Sequence, residues 1–269
     1  MADVRRVGAA ARSPAAPSGL GLYFFVLLLL LYLPIALLLL FSVNDNTTLT
    51  FPLRGLTGRW YAGVLAEPGL LRAARNSRVV AAGSSLVATL LGTMAALLVA
   101  RFTFRAKLAL VSLAVLPLIV PFVVLGASLL LLFSAAGIDR SLGTVGAAHT
   151  VISIPYVLLI VASRLAEFDP SLEEAAMDLG ADYLTTLRRV VVPIIAPAVA
   201  SAALVAFTVS FDEFALALFL AGRDPTFPVY LLGQLRFANR LPILISLAMV
   251  MTVGTLLLAL AAERLRRAR

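Results

Sequence analysis

Apolar residues in this chain come in long unbroken runs. Six segments lack any Asp, Glu, Lys or Arg: 13–44, 79–100, 108–138, 141–163, 190–211 and 241–262. Each can supply the roughly 20 residues with which a helix crosses a hydrocarbon core of about 30 Å. Barrel strands would alternate at every second residue over about ten, and these runs do not, so helices that satisfy their own backbone hydrogen bonds are the expected form. The pattern predicts an all-α integral membrane protein with six transmembrane helices. The segment Leu20–Phe41 is longer than the apolar core of a secretory signal, and no small-x-small cleavage site follows it, so an uncleaved first span is expected.

Composition agrees, since 61% of the 269 residues are hydrophobic and 13% charged, outside the range of soluble globular domains. The predicted organisation is a tail at 1–19, a first span at 20–43, an outer loop at 44–75, a five-helix core at 76–262 and a basic tail at 263–269. With the N-terminus inside, thirteen of the 22 Lys and Arg residues fall on cytoplasmic segments, in clusters such as Arg101, Arg105 and Lys107. Both termini are therefore expected in the cytoplasm. The net charge of +8 is a topology signal and carries no nucleic-acid reading. Trp60 and Tyr61 in the first outer loop suit an interfacial anchor, and contact with an external protein is the alternative.

Several chemistries are excluded. The chain has no cysteine, hence no disulfide or thiolate metal site. Its one lysine, Lys107, lies in "FRAKLAL", which is no phosphate-binding loop. The single histidine, His149, falls in the fourth span; it is read as a packed interior residue, with a metal or proton-relay role as the alternative.

Charge returns abruptly between the fourth and fifth spans, where six of the fourteen acidic residues lie between Glu167 and Asp182. This loop, 165–192, is the longest inner one. Ser171 with Glu174 three residues on has capping-box spacing, and Ala175 and Ala176 favour helix. Gly180 suits a left-handed stop, and a second helix is expected to restart near Asp182. The loop reads as helix, sharp turn, helix, with a small-residue knob that fits a groove on another protein. Lying flat on a membrane is the alternative, which six carboxylates disfavour.

At these residues the chain resembles the permease subunits of binding-protein-dependent ABC importers. Their signature is Glu-Ala-Ala, three residues, Gly, nine residues, aliphatic, one residue, aliphatic, Pro; here it is Glu174-Ala175-Ala176, Gly180, Val190, Val192 and Pro193. Valine stands at both aliphatic positions, where isoleucine and leucine are usual. The similarity runs over nearly the whole chain and looks closest to the spermidine/putrescine-type subfamily, through "GRWYAGVL", Asn76-Ser77, "ARFTFRAK", "SIPYVLLIVASRL" and "SFDEFALALFLAG". The resemblance implies a type I importer fold in a bacterial plasma membrane, a second permease subunit, two cytoplasmic ATPases that hold ATP and Mg, and an external substrate-binding protein. It implies no cofactor and no enzymatic activity in this chain. It makes the acidic loop a coupling helix, with Glu174, Ala175, Ala176, Gly180, Asp182 and Pro193 as its residues.

A second group of residues interrupts the fifth span. Asp212 and Glu213 are costly in a membrane unless they face a polar interior. Ser201, Thr208 and Asp212, spaced seven and four apart, share one helical face and are candidates to line a solute path together with Glu213. Carboxylates beside phenylalanines suit an organic polycation; pairing with an arginine of another subunit is the alternative. Importers of iron, thiamine or an aminophosphonate have similar permeases, and an ion-coupled secondary transporter is the other class considered. No half-to-half repeat supports the latter.

Overall fold

A computed structural model describes residues 18–253. The predicted tails, apart from Ser18 and Gly19, and the end of the sixth run, 254–262, lie outside the described residues. Within them the chain forms helices and irregular connections, with one isolated antiparallel bridge at Asn44 and Leu56. Two compact units divide it: residues 18–64 with 237–253, and residues 65–236.

In the first unit, α1 (Ser18–Ser42) is apolar all round and keeps its side chains exposed, as a lipid-facing helix does. Its end is tied into the following loop. Ser42 Oγ lies 2.7 Å from the Tyr61 hydroxyl, and Ser246 Oγ donates to Ser42 O at 3.1 Å. Trp60, at the start of α2 (Arg59–Leu65), donates its indole N–H to Asn44 O at 2.9 Å. The pair marked as an interfacial anchor therefore also folds the loop back on itself. A final apolar helix, α12 (Ala238–Val253), covers the described part of the sixth run.

The second unit is built on α3 (Pro68–Arg101), α6 (Leu142–Ala166) and α9 (Val192–Asp212). Alpha3 starts eleven residues before the charge-free run at 79, so the outer loop ends earlier than the expected residue 75. Arg72, Arg75 and Arg78 sit on its first turns, where long side chains reach the interface. Its buried face repeats small residues: Ala73, Ser77, Ala81, Ser84, Ser85, Ala88, Gly92 and Ala96. Without a hydrophobic drive between helices in lipid, small residues let backbones approach and gain dispersion contact. At Gly92 a Cβ would stand 2.6 Å from Val157 Cβ of α6, so only glycine fits. Val157, Val161, Leu165, Ile195, Ala202 and Ala206 complete this core.

The third run is not one straight helix. Alpha4 (Lys107–Val115) passes through a 3-10 turn at Leu116–Leu118 and meets α5 (Phe122–Ala135) at a bend of 105°. Pro117 and Pro121 lack the N–H groups that would continue the helix, and Pro121 is extended. Charge counting cannot see such a break. The described residues thus hold four helices long and apolar enough to span a membrane, or five if the bent pair is one span. Alpha9 also stops short, at Asp212, and α10 (Ala215–Leu220) restarts after a break at Glu213 and Phe214, before α11 (Phe227–Gln234).

Candidate functional site

The acidic loop folds as a helical elbow. Alpha7 (Ser171–Asp178) and α8 (Tyr183–Thr186) are joined through Gly180 at φ +89°, a conformation that a side chain strongly disfavours. Ala181 N–H bonds Ala176 O at 3.0 Å and Gly180 N–H bonds Met177 O at 2.9 Å, the double closure of a glycine C-terminal cap. The start differs from expectation. Ser171 lies inside the helix, its N–H bonding Asp169 Oδ1 at 3.0 Å, so no Ser171–Glu174 capping box forms. Asp182 caps α8 by accepting from Thr185 N–H at 3.1 Å. Asp169 and Asp182 are both exposed, and these bonds hold each carboxyl below its usual range: Ser171 donates to Asp169, and the Thr185 side chain and N–H act on Asp182.

Chain geometry turns most of the elbow outward. Glu174 and Ala175 are exposed, Ala176 is half-buried, and α7 has no buried residue. Leu172, Met177 and Leu179 are exposed beside them, Leu179 by 90%. Glu174 and Asp178 are exposed alongside this apolar tip. Pro193 stands at the second position of α9, where its missing N–H is tolerated. The preceding residues Leu187–Val191 form one π turn, with Val192 N–H reaching Leu187 O. That turn carries the elbow directly into α9.

The two carboxylates at the end of α9 are placed differently. Ser201, Thr208 and Asp212 share one exposed face, as their spacing predicts, with Leu204 between them. Phe207 and Phe211 stack at 6.0 Å beside that face, and Phe211 meets Phe227 at 6.1 Å. Glu213 does not join it. Its side chain is buried, and its oxygens accept from Leu216 N–H (3.0 and 2.9 Å) and Ala217 N–H (3.2 Å). It therefore caps the restarting helix, because these free N–H groups demand acceptors. Glu213 is thus placed apart from the exposed face that carries Asp212.

Behind Glu213 lies a buried polar chain across three long helices. Ser84 of α3 donates to Ser210 of α9 at 2.8 Å, and Ser210 Oγ lies 2.8 Å from His149 Nδ1 of α6. His149 Nε2 is 3.2 Å from Glu213 Oε2, an electrostatic contact without hydrogen-bond alignment. Among the described residues no cluster of His, Cys, Asp and Glu could hold a metal. His149 is the packed, hydrogen-bonded residue the sequence suggests. Ser84 and Ser210 were not marked from sequence, because a lone serine in an apolar helix is indistinguishable from one bonding its own backbone.

Such a bundle of long apolar helices, with its buried polar groups spent on bracing them, is that of a multi-pass membrane protein. The chain belongs to the family of binding-protein-dependent transport system inner membrane components, which matches residues 88–269. It is 37% identical over 194 residues to the putrescine transport system permease protein PotI of Escherichia coli K12, covering 70% of this chain and 69% of that one. It is 32% identical over 219 residues to the spermidine/putrescine transport system permease protein PotC of the same strain, covering 80% and 81%. A probable molybdenum ABC transporter permease of Haloferax volcanii is 34% identical over 168 residues, covering 60% and 62%. The fold is that of a bacterial ABC transporter for import of the acidic polysaccharide alginate, at a TM-score of 0.72, 15% identity and coverage of 93% and 94%. The chain is thus an inner-membrane permease subunit of an ABC importer, a transport component and not an enzyme.

Proposed function

We propose that this subunit lines half of the translocation path for a small polyamine, of the putrescine or spermidine type. The observation that carries the reading is the exposed face of α9, where Asp212 stands with Thr208 and Ser201 beside the Phe207–Phe211 stack. A carboxylate pairs with an ammonium, and aromatic faces attract the same cation. The names of the two Escherichia coli relatives support this solute class.

In this reading the partners are a second, different permease subunit, two cytoplasmic ATPases that bind ATP and Mg, and an external substrate-binding protein. A structure of the alginate importer carries such a periplasmic protein with its pentasaccharide bound. Both termini lie in the cytoplasm, on the side of the elbow, in keeping with the basic clusters of the inner segments. ATP binding closes the ATPases; an elbow seated on each is carried as a lever, and the helices joined to it swing from inward-open to outward-open. Glu174 meets basic groups of the ATPase, Ala175 and Ala176 allow close approach, and Gly180, Asp182 and Pro193 fix the elbow's shape. Uptake of radiolabelled putrescine into vesicles holding all four kinds of subunit, with molybdate as the competing solute, tests the assignment. ATP-dependent uptake of the anion alone overturns the polyamine reading.

A further inference from the structure

Alpha7 presents a physical puzzle. It is eight residues long and has no buried residue, and so short a helix gains its stability from tertiary contacts rather than from propensity. Something must fix its direction. Two consecutive residues at the cytoplasmic end of α3 do so. Arg101 is ion-paired with Glu173 of α7, and both side chains are largely buried, at 16% and 13% exposure. The Arg101 guanidinium lies 4.9 Å from the centre of the Phe168 ring, which is itself part of the α3–α6–α9 core. Phe102 then meets Tyr183 of α8 edge-on, with ring centres 6.4 Å apart. Each arm of the elbow is thus held by one residue of the Arg101-Phe102 pair, while Glu174 faces out.

We infer that the Arg101–Glu173 pair, roofed by Phe168, is the strut through which movement of the α7–α8 elbow is transmitted to α3. The chain itself joins the elbow to α6 through Phe168 and to α9 through the π turn. The link to α6 is a short irregular segment, whereas α8 runs through the π turn into α9 as one continuous helix, Tyr183–Asp212, so α3 is the long helix that needs a separate contact. Charge holds the Arg101–Glu173 pair together in a largely buried setting, with the guanidinium over the Phe168 ring, and this contact ties α3 directly to α7. With it in place, a displacement of the elbow moves α3 and α9 together. Arg101 and Glu173 are positioning residues; they meet neither solute nor ATP.

The inference rests on the elbow being the ATPase-docking element, and the experiment separates the two. Arg101→Ala, Glu173→Gln and the exchange Arg101→Glu/Glu173→Arg are reconstituted in the complete importer, and ATPase copurification, ATP hydrolysis and solute uptake are measured together. In both single variants the ATPase copurifies normally and hydrolysis stays within about twofold, but ATP consumed per solute rises roughly tenfold, as 1.4 kcal/mol of lost coupling would give. The exchange restores at least about a third of wild-type uptake, since the charges are again complementary. A merely structural pair would lower hydrolysis and uptake in parallel, and that outcome overturns the strut, as does an unchanged ratio in Glu173→Gln. Should Arg101→Ala not accumulate, Glu173→Gln, which keeps size and shape, decides. Normal copurification and uptake in Glu174→Lys instead overturns the docking reading itself.

Discussion

Asp212 and Glu213 are neighbours in the chain but occupy opposite environments: Asp212 is exposed on the polar face of α9, and Glu213 is buried against His149 with its oxygens on the N–H groups of α10. The break in the helix makes this possible, because the chain turns extended at Glu213 (φ −68°, ψ 124°). The Asp212 carboxylate is left exposed. Its neighbour is spent on holding the break.

Opposite consequences follow for their amides. Asp212→Asn is expected to lower putrescine uptake about tenfold or more, since a charged hydrogen bond contributes about 1–3 kcal/mol, while thermal stability is unchanged. Glu213→Gln is expected to lower the melting temperature of the detergent-solubilised protein. Equal uptake by wild type and Asp212→Asn would remove Asp212 from the solute path.

The buried chain through Ser84, Ser210 and His149 predicts energetic coupling between α6 and α9. His149→Phe and Ser210→Ala are each expected to cost about 1–3 kcal/mol by leaving a buried polar atom unpaired. Because both remove one shared contact, their double variant is expected to fall short of the sum by about 0.5 kcal/mol or more. A double-mutant cycle of unfolding midpoints measures this; strict additivity contradicts the network.

At the elbow tip, Glu174→Lys reverses charge on an exposed residue whose side chain makes no hydrogen bond or ion pair among the described residues, so insertion and folding are expected to persist. Loss of the copurifying ATPase, with uptake abolished, is the outcome the docking reading requires.

Gly180→Val meets a backbone at φ +89° that a β-branched residue rarely adopts, costing about 1–3 kcal/mol. The elbow then straightens, and ATP-driven uptake is expected to fail while the protein still reaches the membrane. Full uptake by this variant would show that the turn is dispensable.

Asp182 separates capping from charge. Asparagine caps a helix about as well as aspartate, and alanine does not, so Asp182→Asn is expected to transport normally and Asp182→Ala poorly. Its carboxyl is held below the usual range by Thr185. A depressed value in the folded state means that the stabilisation is present above the ordinary carboxylate range and is lost only as pH falls through the folded value. No change in coupling from this group is therefore expected between about pH 5.5 and 8. A transition there in wild type that Asp182→Asn abolishes would contradict the assignment.

Sequence alone determined what depends on local chemistry and length. Lipid offers no partner for backbone groups, so charge-free runs of about 20 residues had to become helices; the elbow was legible because Ala175, Ala176, Gly180 and Pro193 each carry a conformational preference at a fixed spacing. The exposed face of Ser201, Thr208 and Asp212 followed from helical period. Tertiary structure decided the rest. Pro117 and Pro121 stand in the sequence, but the 105° angle they allow does not, and Glu213 turned inward because α10 and His149 offered partners that no local pattern announces. Likewise Arg101 reads in sequence as a topology charge, and Glu173 as one more acid beside Glu174. They become a pair only when α3 and α7 meet, because the energy of a buried charge is set by the partner that folding brings to it.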